Sequence, residues 1–236
     1  MSVPVMGMSE HDFRLAFRKK KQAIIPVGSL EQHGPHLPVS TDSIIIEHVA
    51  QKVAAKTGAF VLPVIAYGVS FEHAPMFNVS VRNEVLSSLV RDACISLAGL
   101  GIRSIYVLNG HHGNTGALQY LSQNMRGFVP RGTRVSVLHY WHELGREFDH
   151  AGEVETSLML AIAPETVHME RAVANSRRLA KSRTAYGAMT SEPGSFIRIT
   201  GNGVWGDPSK ATAGKGKAWL NRSVTGLCRA MAELKS

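Results

Sequence analysis

Cysteine is scarce: the 236 residues hold two, Cys94 and Cys228, each in an apolar, helix-like stretch. Both read as buried reduced thiols, which excludes a disulfide-stapled secreted scaffold and a thiolate zinc cluster. Long apolar runs are missing too. The longest, at 60–67 and 105–108, are strand-sized and fall far short of the ~20 residues of a membrane helix. The N-terminus has acidic residues and no apolar core behind a basic start, so no secretory signal is expected and the cytoplasm is the expected compartment. No repeat, linker or low-complexity block divides the chain, which predicts one domain over 1–236. Acidic residues are outnumbered, 18 against 26 Lys and Arg, for a net charge of +8. That balance invites a nucleic-acid reading, but no basic patch interleaved with aromatics supports a specific nucleic-acid partner.

What is present is alternation. Short apolar runs at 22–28, 59–65, 104–109 and 133–139 read as buried strands, and between them lie segments with helical spacing. The segment 43–57 carries Ile45, Val49 and Val53 on one face, and 83–101 carries Val85, Leu86, Leu89, Val90, Ala93, Leu97 and Leu100. Further helices are expected at 114–127, 155–163 and 212–234, with an irregular stretch at 182–205. The basic run 18–21 reads as a solvated helix end before the first strand. Strands alternating with helices imply a parallel sheet covered on both faces, an α/β fold.

In such a sheet, function gathers in the loops at the carboxyl ends of the strands. Nine of the 11 histidines fall in or beside these loops, and surface histidines have no reason to sort that way. The first loop, GSLEQHGPHLPVSTD, offers Glu31, His33 and Asp42, and the third, NGHHGN, offers His111. Carboxylate oxygens mixed with imidazole nitrogens suit zinc, manganese or iron. Glu31 and His33, two apart in an extended loop, point the same way and can serve adjacent ions. Asp42, just before a helix, can cap it or bridge two metals.

The strings GSLEQHGPHLPVSTD, NGHHGN, HAGEVETS and GVWGDPSKATAGKG together resemble the creatininase, or creatinine amidohydrolase, family over about 24–216. The resemblance implies a three-layer α/β/α sandwich with a mostly parallel central sheet, two divalent metals (Zn, Mn or Fe) at its carboxyl edge, and a metal-activated water that attacks an amide carbon. It assigns Glu31 and His111 to one ion, His33 to the other and Asp42 to the bridge. Two departures stand out. Creatinine amidohydrolases proper carry a tyrosine and a glutamate after the third-loop histidine, and that glutamate completes the second site; here His112 and Gly113 stand there. Glu155, Glu153 or water then completes it. A tryptophan expected four residues before the histidine matching His150 is replaced by Arg146, and Trp141 is out of register.

His150 is the candidate proton carrier, since an imidazole titrates near neutrality, with a helix cap as its other reading. Glu155 is its candidate partner if it is not a ligand. Glu72 and His73, with Tyr67, are expected to shape the substrate pocket together with His112 and Arg146. Asp207 and Pro208 are given a structural turn, and the cluster Arg177, Arg178, Lys181 and Arg183 a solvated helix face or an anion contact. The expected function is hydrolysis of a C–N bond in a small amide, lactam or formamide. A pyrimidine-ribotide formamide and a peptide-derived cofactor precursor are the alternatives. Self-association, a hexamer by resemblance, completes the expectation.

Overall fold

The computed structural model describes residues 3–145, 147, 149–175 and 192–234. Five parallel strands, β1 (Val3–Pro4), β2 (Gln22–Val27), β3 (Phe60–Val61), β4 (Ser104–Asn109) and β5 (Arg134–His139), form one sheet in the order β1-β3-β2-β4-β5. Register is continuous across the centre: Val27 pairs with Asn109, and Asn109 with His139. The carboxyl ends of β2, β4 and β5 therefore finish level, and the loops that leave them meet on one edge.

Alternate residues along each strand go to opposite faces. Ile24, Tyr106 and Leu108 face a core built with α2 (Thr41–Thr57), α6 (Glu153–Ile162) and the C-terminal helix Ala213–Glu233. Ala23, Ile25, Val27, Ile105 and Val107 face a second core built with α3 (Asn83–Gly99), α4 (Thr115–Leu118) and α5 (Leu121–Asn124). The result is the expected three-layer sandwich, with α1 (Glu10–Phe17) beside the second core. No helix among the described residues is long and apolar enough to cross a membrane.

Several elements differ from the sequence reading, each for a local reason. The run 59–65 is a strand only at Phe60–Val61, because Pro63 has no N–H to continue the ladder; Leu62 N and Ile65 N still donate to Ile24 O and Pro26 O. On α3 the buried face is narrower than the apolar pattern: Leu86, Val90, Cys94 and Leu97 are inside, whereas Val85, Leu89 and Leu100 are exposed. The segment 114–127 is two single turns rather than one helix, with Gly116 in the first and no side-chain cap on either. The stretch 182–205, where it is described, contains a short helix, Ser195–Thr200, anchored by buried Phe196 and Ile199. The edge strand β1 gave no signal, being two residues long.

Candidate metal centre

Three loops converge at the carboxyl edge, and Asn114 ties them together. Its Nδ2 donates to Gly28 O at 2.9 Å, and its Oδ1 accepts from Val69 N at 2.9 Å. The first loop is held on both flanks: Glu31 N donates to Val39 O, and Gln32 N to Phe77 O. Asp42 is not a helix cap. α2 begins at Thr41, one residue before it, so Asp42 lies in the first turn and its buried carboxylate faces the loops. A carboxylate also sits well at a helix N-terminus, where the backbone N–H groups are unpaired.

Around Asp42 the structure gathers Glu31, His33, His111 and Glu155, all buried. His33 Nε2 lies 3.5 Å from Asp42 Oδ1 and 3.6 Å from Glu155 Oε2. His111 Nδ1 lies 3.1 Å from Asp42 Oδ2, and its Nε2 lies 3.2 Å from Glu31 Oε2. Ligand atoms thus group as Glu31–Asp42–His111 and His33–Asp42–Glu155, sharing Asp42, with a third group of Glu31, His33 and His150.

Backbone carbonyls fix both imidazoles. His33 Nδ1 is 3.1 Å from Glu31 O, and His111 Nε2 is 2.8 Å from Val69 O. A carbonyl only accepts, so those nitrogens carry the protons, and the opposite nitrogens turn lone pairs toward Asp42. Lone pairs facing a carboxylate repel unless a cation or a proton lies between them. Glu31 Oε1, His33 Nε2 and Asp42 Oδ2 are buried with no hydrogen-bond partner among the described residues. This donor set fits divalent cations, because orphaned buried acceptors are costly and here they converge.

Proton affinities follow the same logic. Burial pushes His33 and His111 toward the neutral form, but Asp42 with Glu155 at His33, and Glu31 with Asp42 at His111, together outweigh it. His33 is raised well above its ordinary value, and His111 is raised to about 10. Burial works against ionised Asp42, yet His33 and His111 hold it far below the usual carboxylate range. Burial raises Glu155. His150 is lowered well below its ordinary value by burial and by neighbouring His33 and His73.

Glu155 is at the cluster and Glu153 is not: Glu153 Oε1 accepts from Lys215 Nζ at 2.6 Å at the rim. Ala151 holds Glu155, its N–H donating to Oε2 at 2.6 Å from a left-handed backbone, φ 50, uncommon for a residue with a Cβ. His150 is pinned by an antiparallel bridge to Trp205 and caps no helix; its Nδ1 is 3.8 Å from Glu31 Oε1. His73 is buried, with Nε2 3.0 Å from Glu31 Oε1, and its ring meets His150 and Phe196. Glu72, partly buried, has its pKa raised by burial and lies 3.9 Å from His73. His112 is exposed and stacks on Trp141, ring centres 5.2 Å apart. Tyr67 is exposed, and Asp207 forms the expected turn, accepting from Ser209 N. Arg146, Arg177, Arg178, Lys181 and Arg183 lie outside the described residues.

Sequence reasoning missed Gln32, Phe196 and Asn114. Gln32 touches two of the histidines, Phe196 packs against both of them, and Asn114 joins the loops. None titrates. The only signal available was the position of Gln32 between Glu31 and His33.

The sequence profile of a family described as Creatininase, creatinine amidohydrolase, matches residues 6–231. A mycofactocin precursor peptide peptidase of Mycobacterium tuberculosis is 34% identical over 220 residues, covering 89% of this chain and 84% of that protein. A creatinine amidohydrolase of Pseudomonas putida is 28% identical, covering 89% and 88%. A crystal structure of creatinine amidohydrolase superposes with a TM-score of 0.82 at 26% identity, covering 98% and 97%. A manganese creatininase and a mutant creatininase of Zn-Zn type superpose at 0.82 and 0.79, with 25% and 26% identity, each covering 99% of this chain and 98% of the other. With the profile spanning nearly the whole chain and the same fold beneath it, this chain belongs to the creatinine amidohydrolase family.

Proposed function

We infer that this chain is a metal-dependent hydrolase of carbon–nitrogen bonds that works with two divalent ions. The observation that carries the reading is Asp42, whose two oxygens each face an imidazole lone pair. Glu31, Asp42 and His111 would hold one ion, and His33, Asp42 and Glu155 the other. When bound, such a pair supplies Lewis acidity, polarising the amide carbonyl and acidifying the attacking water. Three carboxylates against two dications leave the site net positive, which favours the developing oxyanion.

His150 does the proton work. Its half-buried ring is neutral and can accept, since burial and its histidine neighbours lower its pKa. As the C–O bond forms, the water's proton passes to His150. As the C–N bond breaks, the same proton goes to the departing nitrogen, leaving a carboxylic acid and an amine. Glu155, besides its place as a ligand, supports the turn that carries His150 through Ala151 N. Glu72 and His112 border the approach for substrate, with His73 buried behind them, and Arg146 is assigned to the same wall on sequence grounds.

The substrate we propose is an amide larger than creatinine, such as a formamide or an anionic lactam or ureide. His112 is exposed, and Tyr67 and Phe77 leave an open rim, 53% and 54% exposed. The mycofactocin precursor peptide peptidases among the relatives favour a second reading, a short peptide. Steady-state assays of creatinine, a ribotide formamide, a lactam and short peptides, with Zn or Mn loading, test this. We expect two ions per chain by elemental analysis, little activity after chelation, and a ~10²- to 10⁴-fold loss of kcat in His150→Ala at unchanged metal content. Creatinine turnover at ~10⁴ M⁻¹s⁻¹ or more overturns the substrate assignment. One ion per chain overturns the dinuclear one, and full activity without metal overturns both.

We extend the reading to a single domain over 1–236, acting in the cytoplasm as a homo-oligomer, with a hexamer implied by the family resemblance.

A further inference from the structure

Gln32 is buried between Glu31 and His33 but belongs to none of the three carboxylate–histidine groups. Its side chain is nevertheless fully engaged. Gly34 N donates to Oε1 at 2.9 Å, which fixes the orientation of the amide and turns Nε2 toward the histidines. Nε2 then has three neighbours: His73 Nδ1 at 2.8 Å, Gly203 O at 3.0 Å and His150 Nε2 at 3.1 Å. An amide nitrogen has only two protons to give.

The partners decide where they go. Gly203 O can only accept, so it takes one. His150 Nε2 also lies 3.0 Å from the backbone carbonyl of Gln32, and two acceptors cannot face each other at that distance, so His150 carries a proton on Nε2 and donates it to Gln32 O. It is then no acceptor for the amide, whose second proton goes to His73 Nδ1. His73 must therefore carry its own proton on Nε2, the nitrogen 3.0 Å from Glu31 Oε1. This arrangement gives both amide protons an acceptor and the Gln32 carbonyl a donor.

We propose that Gln32 is a positioning residue that sets the tautomers of His73 and His150 through its side chain and its backbone carbonyl. His73 presents an N–H to Glu31, and His150 presents the lone pair of Nδ1, the atom 3.8 Å from Glu31 Oε1, to the reacting centre. The proton step then has a defined address: the water's proton arrives on His150 Nδ1 and leaves from Nδ1 to nitrogen, while Nε2–H stays on Gln32 O and the carbonyl dipole steadies the imidazolium between the two events. The catalytic meaning rests on the role given above to His150, but the tautomers themselves do not.

The test uses zinc-loaded protein labelled with ¹⁵N-histidine and read by long-range ¹H–¹⁵N correlation, which separates protonated from lone-pair ring nitrogens. Spectra of His73→Asn and His150→Asn assign the two rings. In the wild type both rings should show Nε2–H and a bare Nδ1. Gln32→Glu keeps the acceptor for Gly34 N but has no proton for His73, so the His73 proton should move to Nδ1, and kcat should fall roughly 10- to 100-fold with KM and zinc content retained. An Nδ1 proton on either ring of the wild type overturns the proposal, and that spectrum needs no variant to fold and no substrate. Loss of activity in Gln32→Glu with both tautomers unchanged also overturns it, leaving Gln32 a loop brace. So does an unchanged kcat. If the spectra come out as expected while His150→Ala retains full activity, the role of His150 fails and the tautomer assignment stands.

Discussion

Gly113→Ala is the smallest change that should disturb the centre without replacing a ligand. A Cβ at Gly113 would collide with the Val69 carbonyl oxygen and stand 2.5 Å from His111 Nε2, with Glu72 Oε1 at 3.0 Å. The collision is with backbone, so no rotamer relieves it. Val69 must move, and Val69 is tied by its N–H to Asn114 and by its carbonyl to His111. Overpacking of this kind costs about 1–3 kcal/mol, and two net hydrogen bonds add about 0.5–1.5 kcal/mol each, for a loss of about 2–6 kcal/mol. In a chain of this size that is a Tm lower by roughly 4–24 °C. The displaced His111 ring also loses the carbonyl that orients it, so metal affinity should fall. Thermal unfolding and elemental analysis read the two effects. Gly113→Glu, which restores the residue expected from creatinine amidohydrolases, should do no better, because its Cβ meets the same carbonyl. A Gly113→Ala protein with wild-type Tm and full metal content refutes the argument.

Asp42→Asn should lose both ions together, since one carboxylate serves both groups; elemental analysis showing one ion retained would make the two sites independent. The chelated wild type should lose folding stability as pH rises from about 6.5 toward about 10, because raised His33 and His111 keep protons in the folded state that the unfolded chain has already released; urea titrations across that window check the sign. For the same reason metal binding at neutral pH should release protons, visible as calorimetric heats that depend on the buffer.

The strands β2, β4 and β5 were legible because uninterrupted apolar runs leave little else for a buried strand to be. β3 was overread because Pro63 is apolar yet cannot donate. The apolar surface of α3 was legible as a helix but not in phase, since Val85 and Leu89 repeat as regularly as the buried face. At the centre, Glu31, His33, Asp42 and His111 stood out because ionisable groups were concentrated where strands end. The choice between Glu153 and Glu155 needed the helix phase. Two residues along an α-helix is about 200° around it, and one carboxylate turns to Lys215 while the other turns to His33. Gln32 and Asn114 act through amide hydrogen bonds whose partners lie up to 171 residues away, and nothing local records that.

Asp42 belongs to a 17-residue helix packed into the core, whereas Tyr67, Phe77 and His112 sit on exposed loop surface. Asp42 is thus held by the scaffold itself, whereas the rim we assign to the substrate is carried by loops and short turns. A lineage built this way can exchange one amide for another by rewriting its rim while its reaction stays the same. The names of the relatives, for creatinine, a peptide and a formylated ribotide, fit such a division of labour.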